Sequence, residues 1–136
     1  MIGAVLAVRR AVHAHLLADA GLIAQLGGPR IYDEPPRAAA GPYVAYGEVE
    51  ARDWSSSGDT ACEQTIDLVI WAGRGSESAR ALEIAARVAA RLHEASLAIT
   101  GHRLVNLRQT GLDLRRDAKS GLTRAVVILR CVTETI

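Results

Sequence analysis

Two long strand-like runs joined by a charged link fill the last third of the chain, and they constrain its fold more than any other feature. His102–Leu114 carries apolar residues at Leu104, Val105, Leu107, Leu112 and Leu114, and Leu122–Glu134 carries them at Val126, Val127, Ile128, Leu129 and Val132. The link, Arg115-Arg116-Asp117-Ala118-Lys119-Ser120-Gly121, is too polar to bury and ends in a turn glycine. The pattern predicts a C-terminal β-hairpin over 102–134 that projects beyond the core of so short a chain. Such an arm suits contact with another subunit better than chemistry.

Upstream, helical and strand periods alternate. Residues 3–18 set Val5, Val8, Val12 and Leu16 at three- and four-residue spacing, which predicts an amphipathic helix. Asp19 is the expected N-cap of a short second helix containing Leu22, Ile23 and Leu26, stopped by Gly27-Gly28-Pro29. A brief strand at Arg30–Asp33 gives way to 34–42, where Pro35, Pro36 and Pro42 fix φ and remove donors, excluding regular structure. Tyr43–Arg52 reads as a half-buried strand, with Tyr43, Ala45 and Val49 on one face and Tyr46, Glu48, Glu50 and Arg52 largely on the other.

After a polar loop at 53–59, Ala61–Ala72 alternates more cleanly. Cys62, Ile66, Leu68 and Ile70 face one way, and Glu63, Thr65 and Asp67 the other. Val69 and Trp71 make the second face apolar near its end, so something is expected to cover it. Gly73–Ser76 breaks the strand, with Ser76 as N-cap and Glu77 in the first turn of a helix over 77–94. Leu82, Ala85, Ala89 and Leu92 mark its buried face, flanked by Ile84 and Val88, and Glu83 pairs with Arg87 at i,i+4. The order predicts one α+β domain over 1–136. It is a single mostly antiparallel β-sheet with two main helices packed on one face and the long C-terminal β-hairpin.

Charge is distributed unevenly. Residues 1–100 hold nine arginines and twelve acids, about −3, whereas 101–136 hold six arginines, one lysine and three acids, about +4. A dipole of this kind suits head-to-tail association, in which one copy's basic end meets another's acidic surface. It is a poor match to a nucleic-acid binder, which would also need stacking aromatics among its basic residues; aromatics total 4% and Phe is absent. The N-terminus lacks the order of a signal peptide and no run is long enough to cross a membrane, so an intracellular, membrane-free product is expected. Cys62 and Cys131 read as buried thiols, a cross-strand disulfide being open only if their strands are neighbours.

No catalytic constellation emerges. His13 and His15 point about 200° apart on a helix and share no metal through that spacing. His93 at a helix end fits an interaction with the dipole, and His102 opens a strand. Gly73-x-Gly75 lacks the third glycine of a dinucleotide turn, since Ser78 stands there. Ser55, Ser56 and Ser57 have no nucleophile elbow, and Asp33 and Glu34 are solvated carboxylates beside prolines. No catalytic residue, metal ligand or cofactor is expected. Two features point to a protein partner instead. Trp54 stands alone in a polar loop, where it either anchors a partner or covers its own sheet edge. At the hairpin tip, Asp113, Arg115, Arg116, Asp117 and Lys119 mix both signs; a solvated tip is one reading, and pairing of these charges across a subunit interface, favoured by the hairpin's length, is the other.

Several segments together resemble one family. They are Ile31-Tyr32 with Pro35-Pro36, Pro42-Tyr43-Val44, Asp53-Trp54 before a Ser/Gly loop, Trp71 closing a strand, Leu97-Ala98 with Gly101-His102-Arg103-Leu104, and the ending Leu129-Arg130-Cys131-Val132-Thr133-Glu134. The chain resembles, over nearly its whole length, the tail completion (tail terminator) proteins of long-tailed bacteriophages and gene transfer agents. The resemblance implies a non-enzymatic virion assembly protein forming a homo-oligomeric ring, commonly a hexamer, at the head-proximal end of the tail tube. The ring ends tube polymerisation and offers a surface to a head–tail connector or stopper protein. Assembly would be cytoplasmic, with the ring then part of the phage-like particle at the head–tail junction. DNA would pass through its lumen without specific binding. Within assembly the rival reading is a connector or stopper ring. From another class it is a small ligand-binding or enzymatic α+β domain, which would need a pocket of convergent polar groups.

Overall fold

The computed structural model of the chain describes residues 1–39, 41–74 and 78–136. The elements in order are α1 (Ile2–Leu17), α2 (Ala20–Leu26), β1 (Ile31–Tyr32), β2 (Tyr43–Asp53), β3 (Ala61–Arg74), α3 (Ser78–Leu92), β4 (His102–Arg116) and β5 (Leu122–Thr135). The strands form one sheet in the order β1-β2-β3-β5-β4. Only β1–β2 is parallel; the other three pairings are antiparallel. The fold is α+β with a single, mostly antiparallel sheet. Gly75, the expected N-cap Ser76 and Glu77 lie outside the described residues.

The short second helix joins the two main helices in the core. α1 buries Ala4, Val8, Val12 and Leu16, and α2 buries Leu22 and Leu26. They meet Ile66, Leu68 and Ile70 of β3 and Val127, Leu129 and Cys131 of β5 in one apolar cluster. α3 buries Ala81, Ile84, Ala85, Val88, Ala89 and Leu92. Leu82, expected on that stripe, is 37% exposed instead. It lines a surface groove with Leu112 of β4.

Asp19 caps α2 as expected, accepting from the Gly21 N–H at 3.3 Å, and Gly27 at φ 74° closes the helix. The expected Glu83–Arg87 pair is replaced by a longer-range one. Arg87 donates to both Asp19 oxygens, at 2.7 and 2.6 Å, tying α3 to the α1–α2 junction. Both bonds are charge-assisted, joining a buried carboxylate to a guanidinium that stays partly in solvent. The Arg87 bond holds the Asp19 carboxyl down to about 2, against desolvation that works the other way. Gly21 makes room for this clasp, because a Cβ there would collide with the Arg87 guanidinium.

β2 departs from simple alternation. Its register with β3 shifts between Tyr46 and Val49, so an extra residue is accommodated at Gly47-Glu48. A Cβ on Gly47 would lie 3.0 Å from Val69 Cγ2 and 3.1 Å from Asp67 Cβ, which explains the glycine. The bulge places Tyr46 and Val49 together toward the helices, opposite Leu68 and Ile66, and leaves Tyr43, Ala45, Glu50 and Arg52 on the open face. The expected division of this strand's faces is thereby corrected.

The C-terminal strands also differ from an arm projecting beyond the core. β5 is flanked along its length by β3, from Ala61↔Glu134 to Arg74↔Leu122, and by β4, from His102↔Thr135 to Arg116↔Thr123. Only 117–121 extends past the paired strands. β4 runs two residues further than its apolar pattern, because Arg115 and Arg116 sit at the sheet's edge, where their heads stay in water. Cys62 and Cys131 are buried, reduced and diagonal across β3–β5, and burial pushes the Cys131 thiol up to about 12. The apolar end of β3's open face is met by strand neighbours: Trp71 packs on Tyr43 at 6.4 Å and under Arg124 at 5.8 Å.

Candidate assembly interface

Alternate residues of the four long strands build an open sheet face opposite the helices. Glu50, Arg52, Glu63 and Asp67 stand on its β2–β3 half, and the bulge residue Glu48 lies close enough to raise the Asp67 carboxyl, an effect secondary to burial. Arg103, Arg108, Arg115, Arg124 and Arg130 stand on the β4–β5 half, with Asp113 and Glu134. Among these side chains, four acids oppose one arginine on the first half, and five arginines oppose two acids on the second. The sequence's two-sign asymmetry thus becomes a face split along the β3–β5 line.

The Arg130–Glu63 ion pair ties the halves together, and other pairs lie within each half. Arg130 donates to Glu63 at 2.7 and 2.6 Å, and Arg52 reaches the same carboxylate at 3.3 Å. Arg103 pairs with Glu134, and Arg115 donates to Asp113 at 2.9 Å. The more exposed of these, Arg103–Glu134 and Arg115–Asp113, add little to folding, typically under about 1 kcal/mol each. Their charges remain available to a partner.

Trp54 follows β2, its N–H donating to the Ala61 carbonyl at 3.0 Å. The Arg130 guanidinium lies 5.6 Å above its ring, yet the side chain stays 49% exposed. Trp54 therefore covers part of its own sheet and still presents a wet aromatic surface. At the other end, Asp117 shapes the turn: its carboxylate accepts from the Lys119 N–H at 3.0 Å and the Ser120 hydroxyl at 2.8 Å. Those bonds, Ser120 first, lower its pKa. Lys119 and Arg116 are exposed, and Arg115 and Asp113 lie on the open face.

The structure separates the candidates into two groups. Trp54 stands at the sheet end defined by Ala61 and Glu134, whereas 113–121 stands at the end defined by Arg74 and Leu122. Roughly 40 Å of strand lies between them. One copy can therefore use both patches at once toward different neighbours.

Residue reading alone missed the state of the sheet edges. β4 is an edge strand, and its first half is capped: Glu94 donates to the Leu107 carbonyl at 2.8 Å, and Gln109 donates its N–H to His93 Nδ1 at 3.1 Å. His93 thus accepts a strand hydrogen bond in addition to ending a helix. Beyond Gln109 this capping stops among the described residues, leaving Leu112 and Leu114 49% and 41% exposed. On the other side, β1 pairs with β2 only at Val44 and Ala45, so no described strand flanks β2 from Tyr46 to Asp53. Edge status depends on strand order, which no local pattern encodes.

Among the described residues, no group of three or more His, Cys, Asp or Glu could hold a metal, and no helix is long and apolar enough to cross a membrane. A cavity of about 680 Å³ lies between 94–100 and the first half of β4. Leu97, Ile99, Leu104 and Leu107 contribute apolar walls, and Ser96, Thr100 and His102 polar ones.

The model of the tail completion protein gp17 family matches residues 10–134. The chain belongs to that family. Members of this family are phage structural proteins, generally non-enzymatic, and the match supports a structural role in phage tail assembly. Among solved structures, the chain is similar to one from "Virion of native gene transfer agent (GTA) particle", with 30% identity and a TM-score of 0.87. The match covers 96% of this chain and 97% of that one. No curated protein matches it.

Proposed function

We propose that copies of this tail completion protein close into a ring, a hexamer by family resemblance, at the head-proximal end of a tail tube. The ring ends tube polymerisation and presents the attachment surface for a head–tail connector or stopper protein. It assembles in the cytoplasm and remains in the particle at the head–tail junction, with DNA passing through its lumen without specific binding. The likeness to a chain of a gene transfer agent virion, over nearly the full length of both, carries this reading. The geometry supports it: two charged patches at opposite ends of one sheet suit the heterologous contacts that close a ring.

Negative-stain electron microscopy of the chain mixed with its tail tube protein tests the reading. Tubes of limited length bearing a ring at one end are expected. Tubes that grow unchecked with bare ends, or rings that bind only a portal-side adaptor, would overturn it; the second outcome assigns the connector or stopper role instead.

A further inference from the structure

We propose that copies of this chain join strand to strand, the outer half of β4 in one copy pairing antiparallel with residues 49–53 of β2 in the next. The inference deepens the ring reading, from which it takes only that copies meet.

Hydrogen bonding fixes which backbone groups are offered. Asp117 N–H donates to the Leu122 carbonyl, so in an antiparallel ladder Arg115 and Asp113 bond inward to β5. Leu112, Leu114 and Arg116 consequently turn their N–H and C=O groups outward. Likewise Trp54 N–H donates to Ala61, so Arg52 and Glu50 bond inward to β3 while Val49, Ala51 and Asp53 face outward. Each edge offers three residues at alternate positions. An uncovered edge of this kind is a template for another strand.

Direction and charge select the partner. β4 runs from the Trp54 end toward the 117–121 turn, and β2 runs the opposite way. Two copies in the same orientation therefore bring these edges together antiparallel. Facing Leu112 with Asp53, Leu114 with Ala51 and Arg116 with Val49 sets Asp113 opposite Arg52 and Arg115 opposite Glu50. Both cross-strand pairs on the open face then have opposite sign, which favours the register. A slip of two residues either way sets Asp113 against Glu50 or Arg115 against Arg52. A slip of one turns the open face over.

The contact also continues the charge split of the sheet, joining one copy's basic half to its neighbour's acidic half. The bare halves lie at opposite ends of the strands, so successive copies are offset by about 20 Å along them. Closing such a stagger into a ring tilts the strands to the ring axis, as shear does in a barrel.

Disulfide trapping tests the pairing. Glu50 and Arg115 would form a non-hydrogen-bonded pair, the closer type, so a chain with both Glu50→Cys and Arg115→Cys should cross-link on mild oxidation. Non-reducing electrophoresis of this full-length variant, alone and with tail tube protein, should show a ladder of multimers that reduction collapses. The slipped pair, Glu50→Cys with Asp113→Cys, should remain largely monomeric. The native thiols are buried, and the unaltered chain controls for them. Equal cross-linking of both pairs, no cross-linking of either, or a link from position 115 only to tube protein would overturn the pairing.

Ring formation by the unaltered chain on tube ends is scored separately. Rings without the expected cross-link reject this contact and keep the ring reading. The cross-link without rings on tubes does the reverse. Absence of both rejects both.

Discussion

The helix-covered and open faces of the sheet are built from alternate residues of the same strands, yet they do different work. On β3 and β5 the covered face presents Ile66, Leu68, Ile70, Val127 and Leu129, all in the buried cluster. The open face of the same strands presents Asp67 together with Glu63, Arg124 and Arg130, the last three held in ion pairs and ring contacts. Burying apolar groups makes a large contribution to folding, whereas exposed ion pairs contribute little and still confer recognition. The difference teaches that stability and assembly are separable in this chain: one face holds the fold, while the other, with its edges, is free of that task and is the face we propose for partners.

Leu129→Ala should have the largest effect on folding. Leu129 is fully buried and its truncation leaves a cavity, so a loss of about 3 kcal/mol is expected in urea unfolding. A loss below about 1 kcal/mol would break the comparison at its strong side.

Asp19→Ala should come next, at about 2 kcal/mol, because it removes the α2 cap and the acceptor of both Arg87 bonds. The clasp also has a pH signature. The folded carboxyl sits at about 2 against an ordinary value of 3.8, so its stabilisation is complete above about pH 4 and is lost as pH falls through about 2. Asp19→Asn, which retains capping ability, should flatten the stability profile between those values. An unchanged acid limb would show that the Arg87 bond does not couple to folding.

These predictions depend on features that were unequally legible in the sequence. The α1 stripe of Val8, Val12 and Leu16 and the alternation of β3 were readable, because burial of one side imposes a period of 3.6 or 2. The face division of β2 was not: one extra residue at Gly47-Glu48 reverses the parity, and the glycine's reason is the approach of Val69 and Asp67 from another strand. Arg87 was placed with its near neighbour Glu83, since only the tertiary fold brings Asp19 to it. For the candidate interface, composition and charge marked Trp54 and 113–121. Their placement at opposite ends, the turn-forming role of Asp117 and the two bare edges all depend on strand order.

The smallest effect on folding is expected at the open end of β4, and there the central claim is tested most directly. Arg115→Glu combined with Arg116→Glu should shift unfolding by less than about 1 kcal/mol, since both side chains are exposed. The same variant, measured by light scattering and by pull-down with tail tube protein, should lose ring assembly, tube binding or both. Ring size and tube binding unchanged from the native sequence would contradict the account.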